Sequence, residues 1–134
     1  MFTKPLNLLF ILTLSVFSLA LFSCDKQETE DNKVVISFQS PDENQAITSG
    51  DSVFLNATIT SELSIHGYEI YIHELVTGET ILLSAKHTHD EIISIAESWK
   101  VMPKENTNVE IEIVALVDHN GKKVKSKRNI RYQK

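Results

Sequence analysis

The chain has 134 residues, 18 acidic against 13 basic, and a single cysteine. Its net charge of −5 argues against nucleic acid or an anionic membrane surface as the partner. One cysteine makes no internal disulfide, and the length suits one folded domain.

In chain order, Lys4 precedes an apolar run over 8–22 that is broken only by Thr13, Ser15 and Ser18, and Ser23 and Cys24 follow. A positive start, an apolar middle and a small residue before the cleavage point are the three parts of an export signal. The run is short of the roughly 20 apolar residues that span a bilayer. Leu21-Phe22-Ser23-Cys24 resembles the lipobox of bacterial lipoproteins. The resemblance implies cleavage before Cys24, diacylation of its thiol with palmitate-type chains and acylation of the new amino terminus. Two or more chains give a stable anchor, at about 0.8 kcal/mol per buried CH₂. Removing residues 1–23 takes away Lys4 and no acid, so the net charge of −5 becomes −6. The next residues, 24–33, are the lipidated cysteine and an acid-rich segment with nothing apolar to bury, predicted to be a disordered tether. That acid-rich tract resembles the surface-export signal of Bacteroidota lipoproteins, and it reads equally as a plain hydrophilic spacer.

From residue 34 to 134 the hydrophobic period is two. Strands are predicted at 34–38, 53–60, 65–75, 80–89 and 109–118, with a last strand holding Val124, Ser126, Ile130 and Tyr132. Ser40-Pro41, Ser49-Gly50-Asp51 and Thr77-Gly78 mark turns, and Asn120-Gly121 is a type I′ hairpin signal. Residues 90–101 fit a strand or one face of a helix. The basic residues Lys122, Lys123, Lys125, Lys127, Arg128, Arg131 and Lys134 are expected on a solvated edge strand, where lysine discourages edge pairing. About seven short strands with regular turns predict an all-β, immunoglobulin-like β-sandwich, with a barrel as the other architecture of similar strand count.

If Thr77 and Gly78 form a two-residue loop, paired positions across that hairpin sum to 155. Ile72 then faces Leu83, His66 faces His89 and Tyr68 faces His87. Opposed Cβ atoms lie about 4.5–5.5 Å apart. This pairing places His66, His87 and His89 on the core-facing side at the open end of the hairpin, and puts His73 on the outer face. In a sandwich of this kind strand 109–118 runs antiparallel beside 65–75, which brings His119 to the same end, with Asp90 and Asp118 near. Imidazole donors suit zinc, copper or nickel. His66, His87, His89 and His119 are therefore candidate metal ligands, against the plainer reading of solvated polar residues at a strand end.

No catalytic constellation stands beside them. There is no Gly-x-Ser-x-Gly, Walker A loop, Gly-x-Gly-x-x-Gly or His-Glu-x-x-His, and the only cysteine is the anchor. Glu110 and Glu112 share a strand face expected to be solvated. Asp51-Ser52-Val53 resembles a short O-glycosylation motif of exported Bacteroidota proteins, and equally a turn entering a strand. Over its length the chain resembles the small Bacteroidota lipoproteins with one immunoglobulin-like domain. The resemblance rests on the lipobox, the acidic tether, Ser49-Gly50-Asp51-Ser52-Val53, Ile65-His66-Gly67-Tyr68 and Asp118-His119-Asn120-Gly121. It implies an exported location and a sandwich fold; the anchor and the tether make the expected place the outer membrane, periplasmic or surface-exposed. The expected function is a non-enzymatic binding or accessory lipoprotein with a protein or glycan partner and no cofactor; the alternative is binding of Zn or Cu by the histidines.

Overall fold

The computed structural model describes residues 32–134; the predicted export signal, Cys24 and the tether through residue 31 lie outside the described residues. Asn32 and Lys33, counted above with the tether, are tied to the domain. The Asn32 side-chain amide donates to Leu63 O at 3.0 Å and its Oδ1 accepts from Leu63 N at 3.0 Å. Lys33 O accepts from Glu62 N at 3.3 Å.

The described residues form eight strands and no helix: β1 (Val34–Ser40), β2 (Gln45–Thr48), β3 (Ser52–Ser61), β4 (Gly67–Glu74), β5 (Thr80–His87), β6 (Ile92–Lys100), β7 (Thr107–Leu116) and β8 (Lys123–Gln133). They make a three-stranded sheet, β1-β3-β6, and a five-stranded sheet, β2-β8-β7-β4-β5. β2–β8 is a parallel pair, and the other pairs are antiparallel. The ambiguous segment 90–101 holds a strand, because Ile93 and Ile95 alternate into the core and Ile92–Lys100 pairs with β3. The eighth strand, β2, carries no pattern in the sequence. Only Ile47 of its four residues is buried, too little for a period to show.

Alternation builds the core. Val53, Leu55, Ala57 and Ile59 of β3, with Ile93 and Ile95 of β6, meet Ile70 and Ile72 of β4 and Val109, Ile111 and Ile113 of β7. These side chains are almost wholly removed from water, and each valine, leucine or isoleucine among them contributes about 1.5–3 kcal/mol by burial. Trp99 of β6 donates its Nε1–H to the Tyr132 hydroxyl of β8 at 2.7 Å, a hydrogen bond between the two sheets. Burial raises the Tyr132 phenol above its usual range, and the bond from Trp99 opposes that rise.

Of two expectations about the larger sheet, one holds for most of the strand and one is corrected. β8 is an edge along its basic stretch and interior only at its end: β7 pairs with Lys123–Tyr132, whereas on the other side β2 covers only Ile130–Gln133, so among the described residues Lys123, Lys125, Lys127 and Arg128 lie on the uncovered side as expected and Arg131 does not. Its lysines also reach the acids of β7, with Lys127 Nζ 2.8 Å from Glu110 and Lys125 Nζ 3.3 Å from Glu112. Glu112 is correspondingly buried, at 6% exposure, rather than solvated. Lysine stems cover apolar surface while their charges reach the carboxylates.

Candidate functional site

The site is an end of the five-stranded sheet. Three connections meet there: the one entering β4, the one leaving β5 and the one leaving β7.

The β4–β5 register differs from the expected one. Near the turn Ile72 pairs with Ile81 and Tyr71 with Leu82; beyond it Ile70 pairs with Ser84, Tyr68 with Lys86 and Gly67 with His87. The expected pairing of Tyr68 with His87 and of His66 with His89 is therefore incorrect. Two physical causes act. First, a two-residue type I′ loop needs positive φ at both positions, and Asn44 is the only non-glycine residue at positive φ among the described residues. Thr77 does not comply, so the loop widens: Glu74 N–H donates to Glu79 O at 2.9 Å and Gly78 N–H to Glu74 O at 2.8 Å. Second, Leu83 is an extra residue between the two registers, a β-bulge that moves later β5 residues to the opposite face. Asn120-Gly121 fails as a type I′ turn for the first reason. Val117 N–H there donates to Lys122 O at 2.9 Å across a wider loop.

The histidines nevertheless converge. His66 immediately precedes β4, His87 ends β5, His89 follows it, and His119 lies in the loop after β7. The His66 ring lies 3.7 Å from that of His119, 5.0 Å from His89 and 6.3 Å from His87, centroid to centroid. His87 and His89 are edge-on at 4.7 Å, with their Nε2 atoms 3.1 Å apart. They do not face the core as expected: His66 is half-buried and His87, His89 and His119 are exposed. The backbone pins His66, whose N–H donates to Leu116 O at 2.7 Å and whose carbonyl accepts from Thr88 N at 3.2 Å. His66 Nδ1 is buried and has no hydrogen-bond partner.

The two nearby acids hold the loops. Asp118 Oδ1 accepts from the backbone N–H of Asn120 at 2.8 Å and of Lys122 at 2.9 Å, which shapes the turn carrying His119. Asp90 accepts from the hydroxyl of Thr88, the residue between His87 and His89. The fifth histidine, His73, stands apart on the outer face as expected. Its Nδ1 is 2.9 Å from Thr80 Oγ1 and its Nε2 is 3.8 Å from Glu112. An apolar groove of about 330 Å³ among the described residues is also elsewhere, its lining including Ile72, Ile81, Leu83, Trp99, Val101 and Tyr132.

Burial first, and then the neighbouring His119, His89 and His87, hold the His66 imidazole below its ordinary pKa; Asp118 opposes them. With the folded pKa below the unfolded one, the unfolded chain takes up the proton more readily. The contribution to stability is whole above the ordinary value of 6.5 and is lost as the pH falls below it. The urea midpoint is therefore expected to drop between about pH 7.5 and 5.5, a window in which unperturbed carboxylates stay ionised. His66→Phe is expected to flatten that drop. An equal drop in His66→Phe would place the acid sensitivity in another group.

No family model and no curated protein matches the chain. Among solved structures it is similar to the fibronectin(III)-like modules of Clostridium thermocellum CbhA, at 18% identity and a TM-score of 0.50, over 74% of this chain and 96% of that one. It is also similar to a Niemann-Pick type C2 protein from Japanese carpenter ant, at 12% identity and a TM-score of 0.46, over 75% of this chain and 89% of that one. The likeness to the fibronectin(III)-like modules is one of fold. The protein is an all-β, immunoglobulin-like sandwich.

Proposed function

We propose that this chain is an exported, membrane-anchored, non-enzymatic binding or accessory lipoprotein of the kind found as small single-domain lipoproteins in Bacteroidota. The observation that carries this reading is the order of its first part: Lys4, the apolar run over 8–22, Ser23-Cys24, a short acidic stretch, and then the first strand at Val34. Lipid on Cys24 holds the sandwich at the outer membrane, and the acidic stretch spaces it from the surface. The net charge of −5 favours a protein or glycan partner over nucleic acid. The surface this reading assigns to binding is the sheet end where His66, His87, His89 and His119 meet, because exposed loops on a rigid scaffold are where binding residues concentrate.

Cys24→Ala is expected to move the protein from the membrane fraction to the soluble fraction. Continued sedimentation with membranes would contradict the anchor. Protease added to intact cells separates the two faces: clipping means the domain faces outward, and survival until lysis means it faces the periplasm.

A further inference from the structure

Four of the chain's five histidines come from three separate connections and meet at one end of one sheet. Nothing in the fold requires this. A strand end in water is satisfied by any polar residue, and four imidazoles brought together repel one another as soon as they take up protons. Packing does not account for it either, because His87, His89 and His119 are exposed. What four neutral imidazoles have in common is a ring nitrogen with a lone pair. A metal cation is one ligand that all four can share.

We infer that this end of the sandwich binds one divalent first-row transition-metal ion, with His87 and His89 as the chelating pair, His66 as the half-buried third ligand and His119 closing over it. This assignment rests on the reading of the chain as a binding module and names the ligand of that same end.

The pair is almost set. Two imidazole nitrogens on a tetrahedral zinc, each about 2.0–2.1 Å from the ion, stand about 3.3 Å apart. The Nε2 atoms of His87 and His89 are 3.1 Å apart, sharing a proton where an ion would sit. Binding requires both rings to carry their proton on Nδ1, a change of tautomer that releases no proton from the neutral pair. The main chain of the third ligand is fixed, since both backbone hydrogen-bonding groups of His66 are engaged, to Leu116 and Thr88. His66 also has a buried Nδ1 without a partner, an unsatisfied polar group that a protein interior disfavours. The acids support rather than ligate: Asp118 holds the His119 turn, and Asp90 holds Thr88 between the paired histidines.

As the side chains stand, no group of three among the described residues is set to hold an ion. Completing the site therefore takes rotation of exposed rings toward His66. Exposed side chains change rotamer in picoseconds to nanoseconds. The donor set defines the ion. Nitrogen-only coordination fits copper, zinc or nickel, and calcium and magnesium require oxygen ligands. Among divalent ions of the series, copper binds a given nitrogen site most tightly.

The test is calorimetric titration of Zn²⁺ and Cu²⁺ into the full chain, free of any histidine tag, in detergent. One ion per chain is expected, with copper tighter than zinc. His87→Ala/His89→Ala removes two exposed side chains and leaves the fold intact by circular dichroism; it is expected to weaken zinc binding by at least about tenfold. His73→Ala is expected to bind as the parent does. No heat with either ion, wild-type binding by the double variant, or an equal loss in His73→Ala would overturn the assignment. The Cys24→Ala chain is titrated in parallel and is expected to give the same stoichiometry. An error about the anchor appears in its fractionation and an error about the metal appears in its titration, so the two are told apart.

Discussion

Gly67→Ala is expected to lower the thermal midpoint by about 10 °C or more and to abolish zinc binding at the histidine end. Gly67 sits at φ 139°, a backbone region that L side chains rarely adopt, and it pairs with His87 on one side and Leu116 on the other. A Cβ built there collides with the backbone carbonyl oxygen of Lys86 and lies 3.0 Å from His87 Cα. Both obstacles are main chain, so no side chain can swing away. Backbone strain of about 1–3 kcal/mol adds to an overpacking cost of about 1–3 kcal/mol. In a domain of this size each kcal/mol moves the midpoint by about 4–8 °C. The relief available is to part β5 from β4, which separates His66 from His87 and His89. Differential scanning calorimetry with a zinc titration checks both halves. An unchanged midpoint would mean that the close approach of Gly67 to Lys86 is absent in solution.

Leu55→Ala is expected to destabilise the domain by about 2–5 kcal/mol, whereas Phe54→Ala, one residue earlier, changes stability by no more than about 0.5 kcal/mol. Leu55 is 0% exposed in the middle of β3, so its truncation leaves a cavity between the sheets; Phe54 is 64% exposed on the other face. Urea unfolding of the two variants reads the difference directly. Equal losses, or a larger loss for Phe54→Ala, would reverse the face assignment of β3 and with it the packing of the sandwich.

That face assignment was legible in the sequence because Val53, Leu55, Ala57 and Ile59 alternate without interruption, as do Val109, Ile111 and Ile113. What escaped was set by features that leave no period. β2 is four residues long with one buried side chain, and it covers only Ile130–Gln133 of β8, leaving the lysine-bearing stretch at the edge. The bulge at Leu83 replaces one apolar residue by two, Leu82 and Leu83, which alternation does not distinguish. Glu112 carries a charge, and its burial depends on Lys125 and Lys127 reaching it from the neighbouring strand. The histidine cluster survived the register error for a reason of topology. His66 comes before β4, His87 and His89 end or follow β5, and His119 follows β7, so antiparallel pairing of β4 with both neighbours delivers all four to the same end whatever face each ring takes. His66, His87 and His89 lie together as their parity suggested, but at the exposed rim and not over the core. His73 lies within β4, one residue from its end at Glu74, and topology sends it to the opposite end of that strand.

The most direct measurement of the histidine end follows the five imidazole rings by long-range proton–nitrogen correlation NMR while Cu²⁺ is added below one equivalent. A paramagnetic ion broadens the rings that bind it and spares distant ones. The rings of His66, His87, His89 and His119 are expected to broaden together, with His73 sharp beside Thr80 and Glu112. Equal broadening of all five, broadening of His73 first, or five unaffected rings would contradict a shared ion site at this end of the sandwich.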